Sequence, residues 1–176
     1  APNDKFVRFT VGDRGDDTGL LQHIKPGTPV LLEGPYGVFT EERRTKENVV
    51  LIASGIGIPP IRALAESMAA RPGDVTIIYR VRDEGDASLL AEISEIARRR
   101  GFRLHVLHGK RGTGTSWMNV DEHGRNDLER LLQMAPKVKD ADVYVCGPVA
   151  WAHSVERSLT AAGTPANQVH TEEFAW

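Results

Sequence analysis

The apolar positions of this chain follow two different rhythms. From residue 47 onward, short apolar runs alternate with stretches in which apolar residues recur every three or four places. Val49-Val50-Leu51-Ile52-Ala53 is an unbroken apolar run, as a strand covered on both faces requires. Similar runs predict further strands at 75–80, 103–107, 142–146 and 168–172. Between them, Ile61, Leu64, Ala65 and Met68 mark one helical face, and Leu89, Ile93, Ile96 and Ala97 a second. Leu128, Leu131, Leu132 and Ala135 mark a third, and Ala152, Val155, Leu159 and Ala162 a fourth. Strands alternating with helices in this way predict an α/β fold with a five-stranded, parallel, doubly wound sheet. Ligands of such sheets lie beyond the carboxyl ends of the strands, where the winding reverses.

Residues 1–46 read differently. Phe6 to Val11 alternates as a strand does. Gly15-Asp16-Asp17-Thr18 leads into a short helical stretch from Gly19 to Ile24. Pro26-Gly27 makes a turn, and Val30 to Glu33 is a second strand, ended by Gly34-Pro35-Tyr36-Gly37. Two strands and a short helix are too little for a core. Residues 1–46 are therefore expected to be the end of a β-structure whose other strands lie upstream, closed by the charged linker Glu41 to Glu47. Residues 47–176 form the second domain. The abrupt start at Ala1 suggests a piece of a longer protein.

Charge and cysteine content narrow the chemistry. The chain carries 22 basic and 24 acidic residues, a net charge of −2, without a long basic run, so nucleic acid is not an expected partner. A single cysteine permits no internal disulfide, no iron–sulfur centre and no zinc site of four thiolates. No apolar run approaches the length of a membrane span. His105 and His108 lie on opposite faces of a strand, so no metal site is expected there. Ser54 lacks a nucleophile elbow, and Gly109-Lys110 is followed by Arg111 rather than by Ser or Thr, so it is no phosphate loop of the Walker type.

What remains is a set of turns at strand ends. Gly55-Ile56-Gly57-Ile58-Pro59-Pro60 follows the first strand of the alternating part. Its glycines let the backbone approach an anion, Pro60 suits the first position of a helix, and free N–H groups at the helix start would face a phosphate. An ordinary strand–helix connection has the same look. Tyr79-Arg80-Val81-Arg82-Asp83 ends the second strand. In a dinucleotide fold this tip meets the adenosine ribose, where arginines pair with a 2′-phosphate and a carboxylate with a 2′-hydroxyl. Two arginines precede the first acid, which favours NADPH over NADH; surface pairing with Asp83 or Glu84 is the alternative. Cys146-Gly147-Pro148 ends the fourth strand. The thiol would face the same crevice beside a nicotinamide, or be simply a small buried residue. Gly109 to Gly114 is expected to be a mobile loop. Phe174 and Trp176 place aromatics at the end of the chain, where one can stack on a flat ring.

Taken in order, these segments resemble the ferredoxin–NADP reductase superfamily. More narrowly they resemble the dehydrogenase part of ferric reductases, NADPH oxidases and related bacterial membrane oxidoreductases. Phe9-Thr10-Val11 with Gly15-Asp16-Asp17-Thr18 is similar to that family's strand and GD-x-T segment, and Glu33 to Phe39 to its GPYG-x-F turn. Ala53 to Ile61 stands where the family writes AGGIGITPI, Tyr79 to Asp83 for Y-x-x-R, Val143 to Pro148 for VYVCGP, and His170 to Phe174 for H-x-E-x-F. The resemblance implies that NADPH lies across Gly55, Ile56, Gly57, Ile58 and Pro59 and across Cys146, Gly147 and Pro148. It implies that Arg82, with Arg80, holds the 2′-phosphate, and that FAD sits against Thr18, Gly34, Pro35, Tyr36, Gly37 and Phe174. Hydride would pass from nicotinamide C4 to flavin N5, Cys146 and Phe174 flanking the exchange, and electrons would leave singly for haem. The expected partner is an upstream flavin-binding and haem-bearing transmembrane part of the same protein. The whole protein would then sit in the plasma membrane, with this domain a monomeric unit on the cytoplasmic face.

Two departures stand out. Ser54 replaces a glycine, and Pro59, without hydroxyl or N–H, replaces Thr or Ala. The family's R-x-Y-S-type flavin motif would lie before Ala1, so this chain is expected to bind FAD poorly and to be inactive alone. A nucleotide-binding regulatory module without electron transfer is the alternative function. A soluble dioxygenase reductase would need an appended iron–sulfur domain.

Overall fold

The computed structural model describes residues 6–174 apart from Arg14, Pro35, Glu84 and Asp86, with the backbone alone at Phe174. The sequence order is α1 (Asp16–Leu20), β1 (Asn48–Ser54), α2 (Ile58–Ser67), β2 (Val75–Arg80), α3 (Leu90–Arg100), β3 (Arg103–Leu107), α4 (Asp127–Met134), β4 (Ala141–Pro148), α5 (Val149–Ala161) and β5 (Val169–Phe174). The strands form one parallel sheet in the order β3-β2-β1-β4-β5. The winding reverses between β1 and β4, as expected of a doubly wound sheet.

The unbroken apolar run of β1 has a simple cause. Val49, Leu51 and Ala53 join the core under α2 and α3, with Ile77, Tyr79, Ile93 and Ile96. Val50 and Ile52 join the opposite core under α4 and α5, with Ile78, Trp117, Val143 and Val145. Each strand side needs its own apolar residues, so the alternation vanishes. The helical faces fall inward as the spacing predicts, except that Leu132 is exposed on the short α4. Asn126 and Glu129 close a reciprocal capping box at the start of α4.

Residues 6–38 depart from expectation. Neither Phe6–Val11 nor Val30–Glu33 forms a strand, and α1 begins earlier than the expected helical stretch. Phe6, Val7, Phe9, Leu31 and Leu32 are exposed. An alternating pattern becomes a strand only when a neighbour takes its N–H and C=O groups, and no described segment does so here. A flavin-barrel remnant is therefore not formed among the described residues.

The charged stretch expected as a linker is docked instead. Its Thr45 and Lys46 amides donate to the buried Asp142 Oδ2 at 2.5 and 2.6 Å, while Asp142 Oδ1 lies 3.1 Å from His170 Nε2. Arg44 donates to the Ala69 and Glu47 carbonyls, and Glu41 accepts from the Ala69 amide. Just before it, Tyr144 donates to the Thr40 carbonyl, and Phe39 packs edge-on against the Tyr144 ring.

Candidate nucleotide-binding site

The two turns singled out in the sequence meet at the switch point. Gly55 has φ +51°, a left-handed conformation that favours glycine. Gly57 is needed for a different reason: a Cβ there would lie 2.0 Å from the Cys146 carbonyl oxygen. A Cβ on Gly147 would lie 2.7 Å from the Trp151 ring and 3.2 Å from Ser54 Cβ. The missing side chains thus let the end of β1 and the end of β4 pack backbone to backbone. Beyond them opens a cleft of about 850 Å³, lined by Ser54, Gly55, Ile56, Arg80, Arg82, Pro148 and Trp151 among others. Gly12 and Asp13 form part of its rim.

The helix start differs from the expected cradle. Helix α2 begins at Ile58, so Pro59 and Pro60 are its second and third residues rather than Pro60 its first. Neither proline has an N–H. The Ile58 N–H is spent on the Gly55 carbonyl. The helix terminus therefore offers an anion little, and positive charge must come from side chains.

Those side chains are present, but not all where the sequence suggested. Arg82 is exposed and paired only loosely with Asp83, at 3.7 Å. Arg80 is 5% exposed. Its guanidinium turns inward and donates to the carbonyls of Val81, Leu107 and Gly109. Burial, and then the nearby positive charge of Arg111, lower its pKa from the ordinary value. Arg80 therefore props the end of β3 against the end of β2 through both Nη atoms, while its Nε is buried without a partner among the described residues. Lys110 and Arg111 line the cleft as well, which sequence reasoning missed.

The loop that carries them is not loose. Arg111 and Asn119 form an antiparallel bridge, and Gly112 N donates to Met118 O at 2.9 Å. Asn119 is held by Arg130, and Trp117 and Met118 are completely buried. Asp127 accepts from Ser116 Oγ and Trp117 N, both at 2.7 Å. The Trp117 ring meets Trp151 edge-on at 6.0 Å, which ties the loop to the helix that lines the cleft.

Cys146 is completely buried, and burial, followed by the Glu172 carboxylate, pushes its thiol pKa up to about 12. It is a neutral small side chain, which excludes a thiolate nucleophile at neutral pH. Among the residues expected at a flavin, Thr18 donates to the Gly15 carbonyl and Tyr36 is exposed. A hydrogen bond to Glu33 raises the Tyr36 phenol pKa. Thr18, Gly34, Tyr36 and Gly37 do not line the cleft. Pro35 and the Phe174 side chain lie outside the described residues.

Comparison with known proteins agrees with this geometry. The chain is 27% identical to a flavohemoprotein of Vibrio cholerae over 186 residues, covering 99% of this chain and 44% of that protein. It is 31% identical to the heme-dependent oxidative N-demethylase beta subunit of Ectopseudomonas mendocina over 170 residues, covering 96% of this chain and 49% of that subunit. It spans about half the length of such relatives. Among solved structures, flavohemoglobin from Malassezia yamatoensis, with bound FAD and heme, superposes with a TM-score of 0.64 at 26% identity, covering 95% of this chain and 43% of that one. A variant of ferredoxin-NADP+ reductase from Plasmodium falciparum shares the fold, with a TM-score of 0.68 at 18% identity, covering 91% of this chain and 66% of that one. The family model for the oxidoreductase NAD-binding domain matches residues 51–157, from the middle of β1 to well into α5. This chain belongs to that family, and its sheet is the NAD(P)-binding domain of the ferredoxin–NADP reductase superfamily.

Proposed function

We propose that this chain is the nucleotide-binding part of an FAD-dependent reductase that takes hydride from NADPH and sends electrons on to haem. The observation that carries the reading is the cleft at the switch point, where two glycine turns touch and basic side chains gather. When bound, the nicotinamide and flavin supply the redox chemistry. The chain's own part is positional. Gly57 and Gly147 let the two strand ends close together, Cys146 is an uncharged residue of the core beneath them, and Arg82 waits at the adenosine end. The haem acceptor is supported by the relatives, since flavohemoproteins and a heme-dependent demethylase subunit are among them. The placement of that acceptor in a membrane of the ferric-reductase type, with this domain on its cytoplasmic face, rests on the sequence resemblance. Among the described residues no helix is long and apolar enough to cross a membrane.

The regulatory alternative draws on a specific observation. Pro59, Pro60 and the spent Ile58 N–H leave the helix start with few donors, which suits weak binding. Titrating NADPH onto the full chain, with added FAD and ferricyanide in a parallel assay, separates the two. Saturable binding with NADPH-dependent reduction supports the reductase. Saturable binding without reduction, even with the flavin-binding part supplied in trans, supports the regulatory module. Absence of saturable binding overturns both.

A further inference from the structure

The strongest unassigned feature is a buried phenol beneath two walls of the cleft. Tyr79 is completely buried near the end of β2 and pairs in register with Ala53 of β1. Its ring belongs to the core under α2 and α3. Its hydroxyl lies 3.1 Å from the Ser88 carbonyl oxygen and 3.5 Å from that of Gly55. Gly55 and Ser88 both line the cleft, one just after β1 and the other just before α3. A phenol has one proton to donate. The shorter contact, to Ser88, is the better hydrogen bond, and the Gly55 carbonyl is a second acceptor at the limit of reach.

The second feature is the residue next to Ser88. Leu89 precedes the first turn of α3, and with φ +58° it is the one non-glycine residue in the left-handed region among those described. Leucine is disfavoured in that conformation, because its Cβ crowds the carbonyl oxygen. Its side chain is held there by packing against the core that contains Tyr79. Its carbonyl already accepts from the Ile93 amide at 2.9 Å. The turn at Leu89 thus leaves the Ser88 carbonyl on the phenol and sends the chain directly into α3. Strain of this kind persists only where the surroundings impose it, and it gathers where a ligand wall must be placed.

We infer that Tyr79 is a positioning residue that fixes the spacing between the Gly55 and Ser88 walls of the cleft, and that the left-handed turn at Leu89 aims Ser88 at it. The inference rests on the nucleotide reading above and deepens it. Tyr79 does not itself line the cleft. It acts by holding two walls at a set distance before a ligand arrives, so that binding need not order them. Ser88 is exposed, so its carbonyl takes water when the phenol is removed. Loss of the hydroxyl therefore costs alignment more than stability.

The test uses the full chain, with NADPH and adenosine 5′-diphosphate titrated by calorimetry and thermal melting followed in parallel. Tyr79→Phe keeps the ring in the core and removes only the hydroxyl. It is expected to weaken both ligands about fivefold and to leave the melting temperature within about 2 °C. Leu89→Val, β-branched and ill suited to a left-handed turn, is expected to show the same loss of affinity. Leu89→Asn accepts that turn but gives up the packing, so it is expected to keep its affinity while melting earlier. A merely structural role would make affinity follow melting temperature, with Leu89→Asn among the weakest binders. The double variant Tyr79→Phe/Leu89→Val is expected to bind little worse than either single one, since both release the same carbonyl. Unchanged affinity in Tyr79→Phe, lost affinity in Leu89→Asn, or fully additive losses in the double variant overturns the positioning role and leaves the nucleotide reading intact. Failure of the wild-type chain to bind NADPH at all overturns both.

Discussion

The two parts of this chain treat apolar residues in opposite ways. In residues 48–174, almost every patterned apolar position is buried, and each strand has the neighbours its pattern demands. In residues 6–38, the patterned positions face outward and no strand forms among those described. The difference is not one of composition, since Phe6-Val7-Arg8-Phe9-Thr10-Val11 has as good a β pattern as β3. A strand pattern states what a segment needs on its two edges and one face. It does not supply the neighbours. Where the sheet closes within the chain the pattern is fulfilled; where it does not, the same pattern leaves apolar side chains exposed.

The sharpest way to break the comparison is to damage the sheet domain at its tightest point. Gly57→Ala places a Cβ against the Cys146 carbonyl, a backbone atom that cannot swing aside. It is expected to destabilise by about 4 kcal/mol, at the severe end for a core clash. Urea unfolding followed by circular dichroism measures it. A loss under about 1 kcal/mol would show that the two strand ends do not pack as closely as described.

The docked stretch between the two parts comes next. Asp142 is completely buried and accepts from the Thr45 and Lys46 amides while facing His170. Asp142→Ala orphans those donors and is expected to cost about 2–3 kcal/mol. Hydrogen exchange at Thr45 and Lys46 is expected to speed up far more than at Val50 or Ile52. Uniform acceleration throughout would mean that the stretch and the sheet open as one unit.

The same contrast explains what could be read from the sequence. Strand β2 and strand β3 lie where the apolar runs put them, because both are bounded by turns and need only local pattern plus a neighbour. The turns after β1 and β4 were legible because glycine at these positions has few other uses. Arg80 was legible as a residue of interest but not in its direction. Parity gives no signal, because both faces of β2 are buried, Tyr79 as completely as Ile78. Lys110 and Arg111 were passed over because Gly109-Lys110-Arg111-Gly112-Thr113-Gly114 reads as a flexible loop. What fixes it is Trp117 and Met118, two buried residues without any period to announce them. The docked stretch was hidden for a similar reason, since a run of charges looks the same in water as when its backbone is held by one remote aspartate.

Cys146 gives a smaller, pH-dependent effect. Its thiol stays protonated in the folded chain up to about 12, against an ordinary value near 9. Between those values the unfolded chain releases a proton that the folded chain keeps. Stability therefore falls as pH rises through that window and is untouched below it. Cys146→Ala is expected to remove this part of the alkaline slope. At pH 8, iodoacetamide is expected to label the thiol in urea but not in the native chain. Fast native labelling would show that the core around Cys146 opens.

The smallest effect is the most telling for the comparison. Leu31 is 98% exposed, as open as a side chain can be. Its replacement by Ser removes no contact made in the sheet domain, so Leu31→Ser is expected to change stability by at most about 0.5 kcal/mol. An equally conservative insult at Leu51, which is completely buried, is expected to be several times larger. Concentration-dependent light scattering adds a second readout, because exposed apolar side chains along residues 6–38 favour self-association. Leu31→Ser together with Val30→Ser is expected to reduce scattering while the urea midpoint stays where it was. A midpoint that falls as far as that of Leu51→Ala would mean that residues 30–33 are packed after all, and that the two parts of the chain differ less than their exposures indicate.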